Sequence, residues 1–221
     1  MPLGVKAGKR TGIKLSLSVT FFLLILYTAQ TALTISLVVD KFKKAELIRE
    51  QRLKIEELEE KVKLLEVIKE FKVGLKGREM RELTDLIWSR SRAWGIDPFL
   101  ILALIKTESS FLRGVESERG ARGLMQILPS TGEWLARRKG IRWSGPYSLY
   151  HPTTNVRLGL AYLFELILKF KDVKRAIIAY NLGESELKLR IRRGEKLPSR
   201  YLNSVMENYR LLLKMAEDIS S

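Results

Sequence analysis

Glu108 closes a wholly apolar run, Phe99 to Ile105, and is followed by Ser109, by Ser117, and by the string GLMQILPST from Gly123 to Thr131. A carboxyl group at the end of a greasy helix loses solvation. Its pKa then rises, and it can hold at neutral pH the proton that a general acid must donate. Farther along, Tyr180 and Asn181 interrupt a second apolar run, Ala176 to Leu182, where a polar side chain needs a partner. Spacing alone leaves open an ordinary solvated carboxylate at a helix C-terminus, a position that is electrostatically unfavourable.

The elements that must position these groups are helical. Glu79 to Trp94 carries apolar residues at helical spacing. Asp97-Pro98 then starts the next helix, with Asp97 as N-cap and proline in the first turn. FLILALI is apolar all round, so this helix belongs at the buried centre. Gly114 to Gly123 reads as a loop, Pro129 to Lys139 as a short helix, and Ser144 to Pro152 as a turn-rich connection. Helices are expected over 155–170, 174–182 and 201–219. No strand run is apparent, so the fold class is mainly α.

The blocks ESSF (108–111), a serine nine residues after the glutamate, GLMQILPST, NVRLGLAYL (155–163), AYNLG (179–183) and PSRY (198–201) come in a telling order. That order resembles the catalytic domain of lytic transglycosylases of the soluble (SLT) type, related to goose-type lysozyme. The resemblance covers about residues 78 to 215. It implies a lysozyme-like helical domain that cleaves the glycan of peptidoglycan between N-acetylmuramic acid and N-acetylglucosamine, without a cofactor or metal. By the same resemblance Glu108 is the catalytic acid/base, and Tyr180 is the tyrosine whose hydroxyl bonds to it. Ser117 contacts the N-acetyl region of the sugar near the cleaved bond. Met125 and Gln126 line the glycan groove, Gly123 allows close backbone approach, and Ser109 caps or buttresses the glutamate at the substrate site. Asn181 either contacts substrate or holds its helix end. Tyr201 matches the last tyrosine of the pattern, with packing as its simpler explanation.

A retaining or inverting glycosidase needs two carboxylates facing one sugar bond. Nothing supplies an obvious second: Glu116 and Glu118 lie in the loop, and Glu133 and Glu184 have no evident place beside Glu108. A single-acid route fits better, in which Glu108 protonates the glycosidic oxygen and then deprotonates the sugar's own 6-hydroxyl. That tethered nucleophile closes a 1,6-anhydro ring, so proximity replaces a positioned water. A lysozyme-type hydrolase on the same fold, and a non-catalytic wall-binding or assembly module, are the alternatives.

Composition narrows the field. The chain has 221 residues, no cysteine and one histidine, which excludes a disulfide framework, a thiolate site and a histidine metal cluster. His151 precedes a proline in a turn and reads as a surface residue. A net charge of +15 calls for a polyanion. Residues 76–221 hold 26 Lys and Arg against 16 Asp and Glu, so most of the excess lies there. The basic clusters at 137–139 and 190–193 suit an anionic wall or lipid surface, or are simply solvated. No nucleic-acid motif accompanies the charge, and no nucleic-acid partner is expected.

Residues 1–14 form a basic N-terminal segment, and residues 15–39 contain no charge at all. At about 1.5 Å per residue that stretch spans a bilayer as a helix. Its length, and the lack of a small-x-small site at its end, favour a transmembrane signal anchor over a cleavable signal peptide. Lys41, Lys43 and Lys44 follow at once, so charge does not orient the span. The domain is placed outside the cytoplasmic (inner) membrane, on the periplasmic or extracellular side, because its inferred substrate is there. Residues 40–75 read as a helical stalk. Ile48, Ile55, Leu58, Val62 and Leu65 fall on a heptad seam over 41–72, with Gln51 on one core position. A parallel homodimeric coiled coil and a single helix remain equal readings of it. The domain proper is then residues 76–221.

Overall fold

The computed structural model describes residues 16–71 and 74–220, so the basic segment 1–14 lies outside the described residues. The elements are α1 (Leu17–Glu70), α2 (Gly77–Trp94), α3 (Pro98–Ser109), α4 (Pro129–Lys139), α5 (Pro152–Phe170), α6 (Val173–Leu182), α7 (Glu184–Arg192) and α8 (Arg200–Ser220). A short 3-10 turn, Pro146–Tyr150, precedes α5. Among the described residues there is no strand, only the isolated bridges Glu116 to Arg122 and Arg122 to Ile127. The class is mainly α, as expected. Helix α7 is one that the spacing did not announce.

The chain divides into two compact units, at Glu56 and Glu57. In the first, α1 is long and apolar enough to cross a membrane. Its apolar side chains, Phe21, Phe22 and Leu24 among them, are exposed. The hydroxyls of Thr20, Thr28, Thr31 and Thr34 donate to carbonyls three or four residues back. Polar groups on this helix are thereby satisfied within it, which an apolar surrounding requires.

The second unit begins inside α1. Leu64, Val67 and Ile68 are buried in its core, and the Glu60 carboxylate accepts from Trp88 Nε1 at 2.9 Å and from Arg92 at 2.8 Å. Lys61 bridges Glu57 and Asp85. Packing therefore claims residues 57–71, whereas composition draws the stalk through to 75. Of the heptad-seam residues, Ile48, Ile55, Leu58 and Val62 are exposed and Leu65 is half-buried.

Helix α3 is the buried centre. Asp97 caps it by accepting from the Phe99 N–H at 2.8 Å, Pro98 occupies its first turn, and Ile101 to Ile105 are buried. It packs chiefly on α8, while α5 packs on α2 and α6. At its C-terminus the chain turns left-handed through Ser110 and Phe111 (φ 49° and 64°). Phe111 is fully buried and stacks on Phe71 at 4.5 Å. This reversal sends the chain into the loop that carries Ser117.

Candidate active site

Glu108 sits in the last turn of α3, half-buried, at the side of a cleft of about 630 Å³. Ser117, Gln126, Tyr180 and Asn181 line the same cleft, and so do Glu116 and Glu118. The structure thus brings together five of the residues singled out in sequence: Glu108, Ser117, Gln126, Tyr180 and Asn181.

Burial pushes the Glu108 pKa up to about 7, against the opposing pull of a hydrogen bond from the Tyr201 hydroxyl to its Oε1. A carboxyl with that value is divided between acid and carboxylate at neutral pH. It can therefore give a proton and take one back.

The loop beside it is pinned through its backbone. Asn155, fully buried near the start of α5, donates from Nδ2 to the carbonyls of Arg122 (2.7 Å) and Leu149 (2.9 Å), and its Oδ1 accepts from the Met125 N–H (2.7 Å). Ser109 Oγ lies within bonding distance of the Leu124 carbonyl (2.8 Å) and of Ile105 O (3.1 Å). The Tyr180 hydroxyl donates to the Met125 carbonyl at 2.8 Å. Gly123, at φ 76°, passes so near Leu149 O and the Asn155 amide that a Cβ would lie 2.2 and 2.4 Å from them.

At five residues the geometry differs from the expectation. Tyr180 bonds to the Met125 carbonyl and not to Glu108; Tyr201, for which packing seemed the simpler explanation, supplies the bond to the glutamate. Met125 does not line the groove: its side chain is fully buried, against Gly159. Ser109 is buried and serves the loop backbone rather than a substrate. The close approach at Gly123 is to the protein's own Leu149 and Asn155.

Two side chains keep groups to spare. Ser117 Oγ accepts from the Ala121 N–H at 3.0 Å, which leaves its proton to donate. Gln126 spends its amide nitrogen on the carbonyls of Val115 and Gly123, leaving its carbonyl oxygen as acceptor. Asn181 is exposed at the cleft. Of the remaining carboxylates there, Glu116 accepts from the Tyr150 hydroxyl and from Arg122, and those bonds hold its pKa below the ordinary carboxylate value.

Sequence reasoning missed Asn155 and the bonding role of Tyr201. A fully polar amide at a helical position shared with Val156, Leu158 and Leu160 was the available signal for Asn155, since such a group must be bonded if buried. For Tyr201 the signal was its place in the PSRY block, which does not say what its hydroxyl bonds.

A family model described as the transglycosylase SLT domain matches residues 85–203. The transglycosylase of Enterobacteria phage PRD1 is 34% identical over 128 residues, which cover 58% of this chain and 43% of that protein. An endo-type membrane-bound lytic murein transglycosylase A of Klebsiella pneumoniae is 48% identical over 75 residues, 32% of this chain and 36% of that one. Among solved structures, the 70 kDa soluble lytic transglycosylase of Escherichia coli is 25% identical, with a TM-score of 0.47 over 59% of this chain and 22% of that chain. The chain spans less than half the length of each of these relatives.

Proposed function

The chain belongs to the transglycosylase SLT domain family, and from that premise we propose that it is a membrane-anchored peptidoglycan lytic transglycosylase. It cleaves the β-1,4 bond between N-acetylmuramic acid and N-acetylglucosamine and leaves 1,6-anhydro-muramyl ends. The observation that carries this reading is Glu108: a half-buried carboxyl at a cleft, its pKa raised to about 7, with one tyrosine hydroxyl bonded to it.

Glu108 enters the reaction protonated and delivers its proton to the glycosidic oxygen as that bond breaks. The resulting carboxylate removes the proton from the 6-hydroxyl of the same muramyl sugar, whose oxygen attacks the anomeric carbon. One group serves both transfers, so its pKa must lie near the working pH. Tyr201 holds the carboxyl in place and offers a donor to its ionised form. The Ser117 hydroxyl, the Gln126 carbonyl oxygen and the exposed Asn181 amide meet the acetamido and hydroxyl groups of the glycan. Tyr180 and Ser109 act from behind, by fixing the loop backbone. The reading invokes no cofactor.

A hydrolase on the same scaffold draws on the other cleft carboxylates. Glu116 has both oxygens engaged, which leaves it poorly placed to activate a water; Glu118 is exposed. The apolar start of α1 anchors the protein through residues 15–39, with the domain outside the cytoplasmic membrane. The exposed seam of Ile48, Ile55, Leu58 and Val62 allows self-association through 41–72.

Full-length protein in detergent, wild type and Glu108→Gln, should be incubated with peptidoglycan and the soluble products weighed by mass spectrometry. Wild type should release anhydro-muropeptides and the variant almost none. Products heavier by one water would turn the reading to hydrolysis. Undiminished release by the variant would remove Glu108 from the chemistry.

A further inference from the structure

Tyr147 is 80% exposed, although it stands on a turn that the fold holds firmly. Ser148 Oγ donates to Gly145 O at 2.6 Å, and Asn155 Nδ2 donates to Leu149 O at 2.9 Å. The Tyr147 ring lies 6.4 Å from the ring of Tyr150, tilted by 40°. The Arg122 guanidinium is 5.6 Å from the centroid of each ring.

This assembly is tied to the cleft. Arg122 donates to Glu116 at 3.0 Å, the Tyr150 hydroxyl donates to the other oxygen of Glu116, and Glu116 lines the same cleft as Glu108 and Ser117. The Arg122 backbone is fixed as well, through its N–H and carbonyl to Ile127 and through its carbonyl to Asn155. The Tyr147 hydroxyl has no hydrogen-bond partner among the described residues. The ring thus stands clear of the core on a turn whose backbone is bonded, with its face open to a flat apolar ligand surface.

We propose that Tyr147, backed by Tyr150 and Arg122, is a saccharide-stacking surface that extends the cleft on its Glu116 side and takes a pyranose ring of a β-1,4-linked N-acetylhexosamine strand. The axial C–H face of such a sugar is apolar, and its edge carries hydroxyl and acetamido groups. The Tyr147 ring meets the first, and the Glu116–Arg122 pair meets the second. This inference rests on the reading of the cleft as a glycan site, and adds to it a subsite remote from the bond that is broken.

The test uses the full chain in detergent carrying Glu108→Gln, so that ligand is bound without turnover, and the β-1,4-linked hexamer of N-acetylglucosamine as probe. Adding Tyr147→Ala should weaken hexamer binding about fivefold, the size of one aromatic contact. Tyr147→Phe should restore it, since the ring face and not the hydroxyl makes the contact. Thermal midpoints should not move, because the side chain is exposed. Equal hexamer affinity with and without Tyr147→Ala overturns the stacking surface while leaving the glycan site intact. If the Glu108→Gln protein with Tyr147 present binds no hexamer and wild type solubilises no peptidoglycan, the glycan reading itself falls and takes the inference with it.

Discussion

The hydroxyl of Tyr201, at the start of α8, donates to the carboxylate of Glu108, at the end of α3, across 93 residues of sequence. Other contacts along the same helix pair hold the geometry. Asn208 donates to Thr107 Oγ1 at 2.9 Å, and the Tyr209 hydroxyl donates to Asp97 at 2.6 Å. The bond favours the ionised carboxylate and so works against the desolvation that dominates its pKa.

Tyr201→Phe removes that donor. The Glu108 pKa should rise further above 7, because the ionised form loses its bond while burial remains. The basic limb of the pH–activity profile should therefore move to higher pH. The carboxyl is also less well held, so kcat should fall by about 10- to 100-fold. Peptidoglycan solubilisation followed across pH 5–9 reads both effects. A limb that stays in place would mean that the hydroxyl does not bond the carboxylate, and one that moves to lower pH that it favours the protonated form.

Glu108→Gln should stabilise the fold at alkaline pH and not at acidic pH. The native pKa is raised above the unfolded value of about 4.5, so the native state holds its proton more tightly. Wild-type stability on this account is fully present below pH 4.5 and declines until pH passes 7. A shift of that size amounts to roughly 3 kcal/mol at pH 8 as an upper figure. Glutamine, neutral throughout, escapes it. Urea unfolding of the two proteins at pH 4 and pH 8 checks the sign: a gap no wider at pH 8 than at pH 4 would contradict the burial of Glu108.

Particular residues show what could be read before folding. The apolar run Phe99–Ile105 and the Asp97-Pro98 cap announced α3, because periodicity and capping are local. Glu108 stood out only as a candidate at the end of that run; the order of the matching blocks, not spacing, singled it out. Met125 did not, since GLMQ lies in a loop, where no period tells an inward side chain from an outward one. Tyr180 and Tyr201 both stand near the cleft, and which hydroxyl reaches the glutamate depends on how α8 lies against α3, which spacing does not encode. The tail of α1 offered two stripes at helical spacing. The heptad spacing of Ile48 to Leu65 says nothing of a partner, while the stripe of Leu64, Val67 and Ile68 became a core face only by meeting the rest of the unit.

Asn155→Leu should destabilise the fold by about 3 kcal/mol or more. It leaves the Met125 N–H and the Leu149 carbonyl without their side-chain partner in a dry interior, at about 1–3 kcal/mol for each group left unsatisfied, while the Arg122 carbonyl keeps only its bond from the Ile127 N–H. Activity should fall more than the folded fraction does, because the loop carrying Gln126 loses its anchor. Denaturant unfolding beside activity per folded molecule separates the two. A loss under about 1 kcal/mol would mean that the amide is not bonded as described.

Gly123→Ala and Gly159→Ala both crowd the same loop, but the first should cost more. At Gly123 the new methyl meets the Leu149 carbonyl at 2.2 Å, a backbone atom that cannot move alone, and φ is 76°, where an L-residue is strained. At Gly159 the backbone is helical, and the obstacles are Sδ, Cβ and Cε of Met125, at 2.5, 2.7 and 3.0 Å. Sδ and Cε can rotate away, while Cβ requires a small backbone shift. Overpacking of this kind costs about 1–3 kcal/mol, and the left-handed backbone at Gly123 adds roughly 1–2 kcal/mol. Thermal unfolding should rank wild type above Gly159→Ala and Gly159→Ala above Gly123→Ala. Equal stability of the two variants would show that Met125 yields no more readily than the Leu149 backbone, and that the loop is as tightly held on its α5 side as at the 3-10 turn.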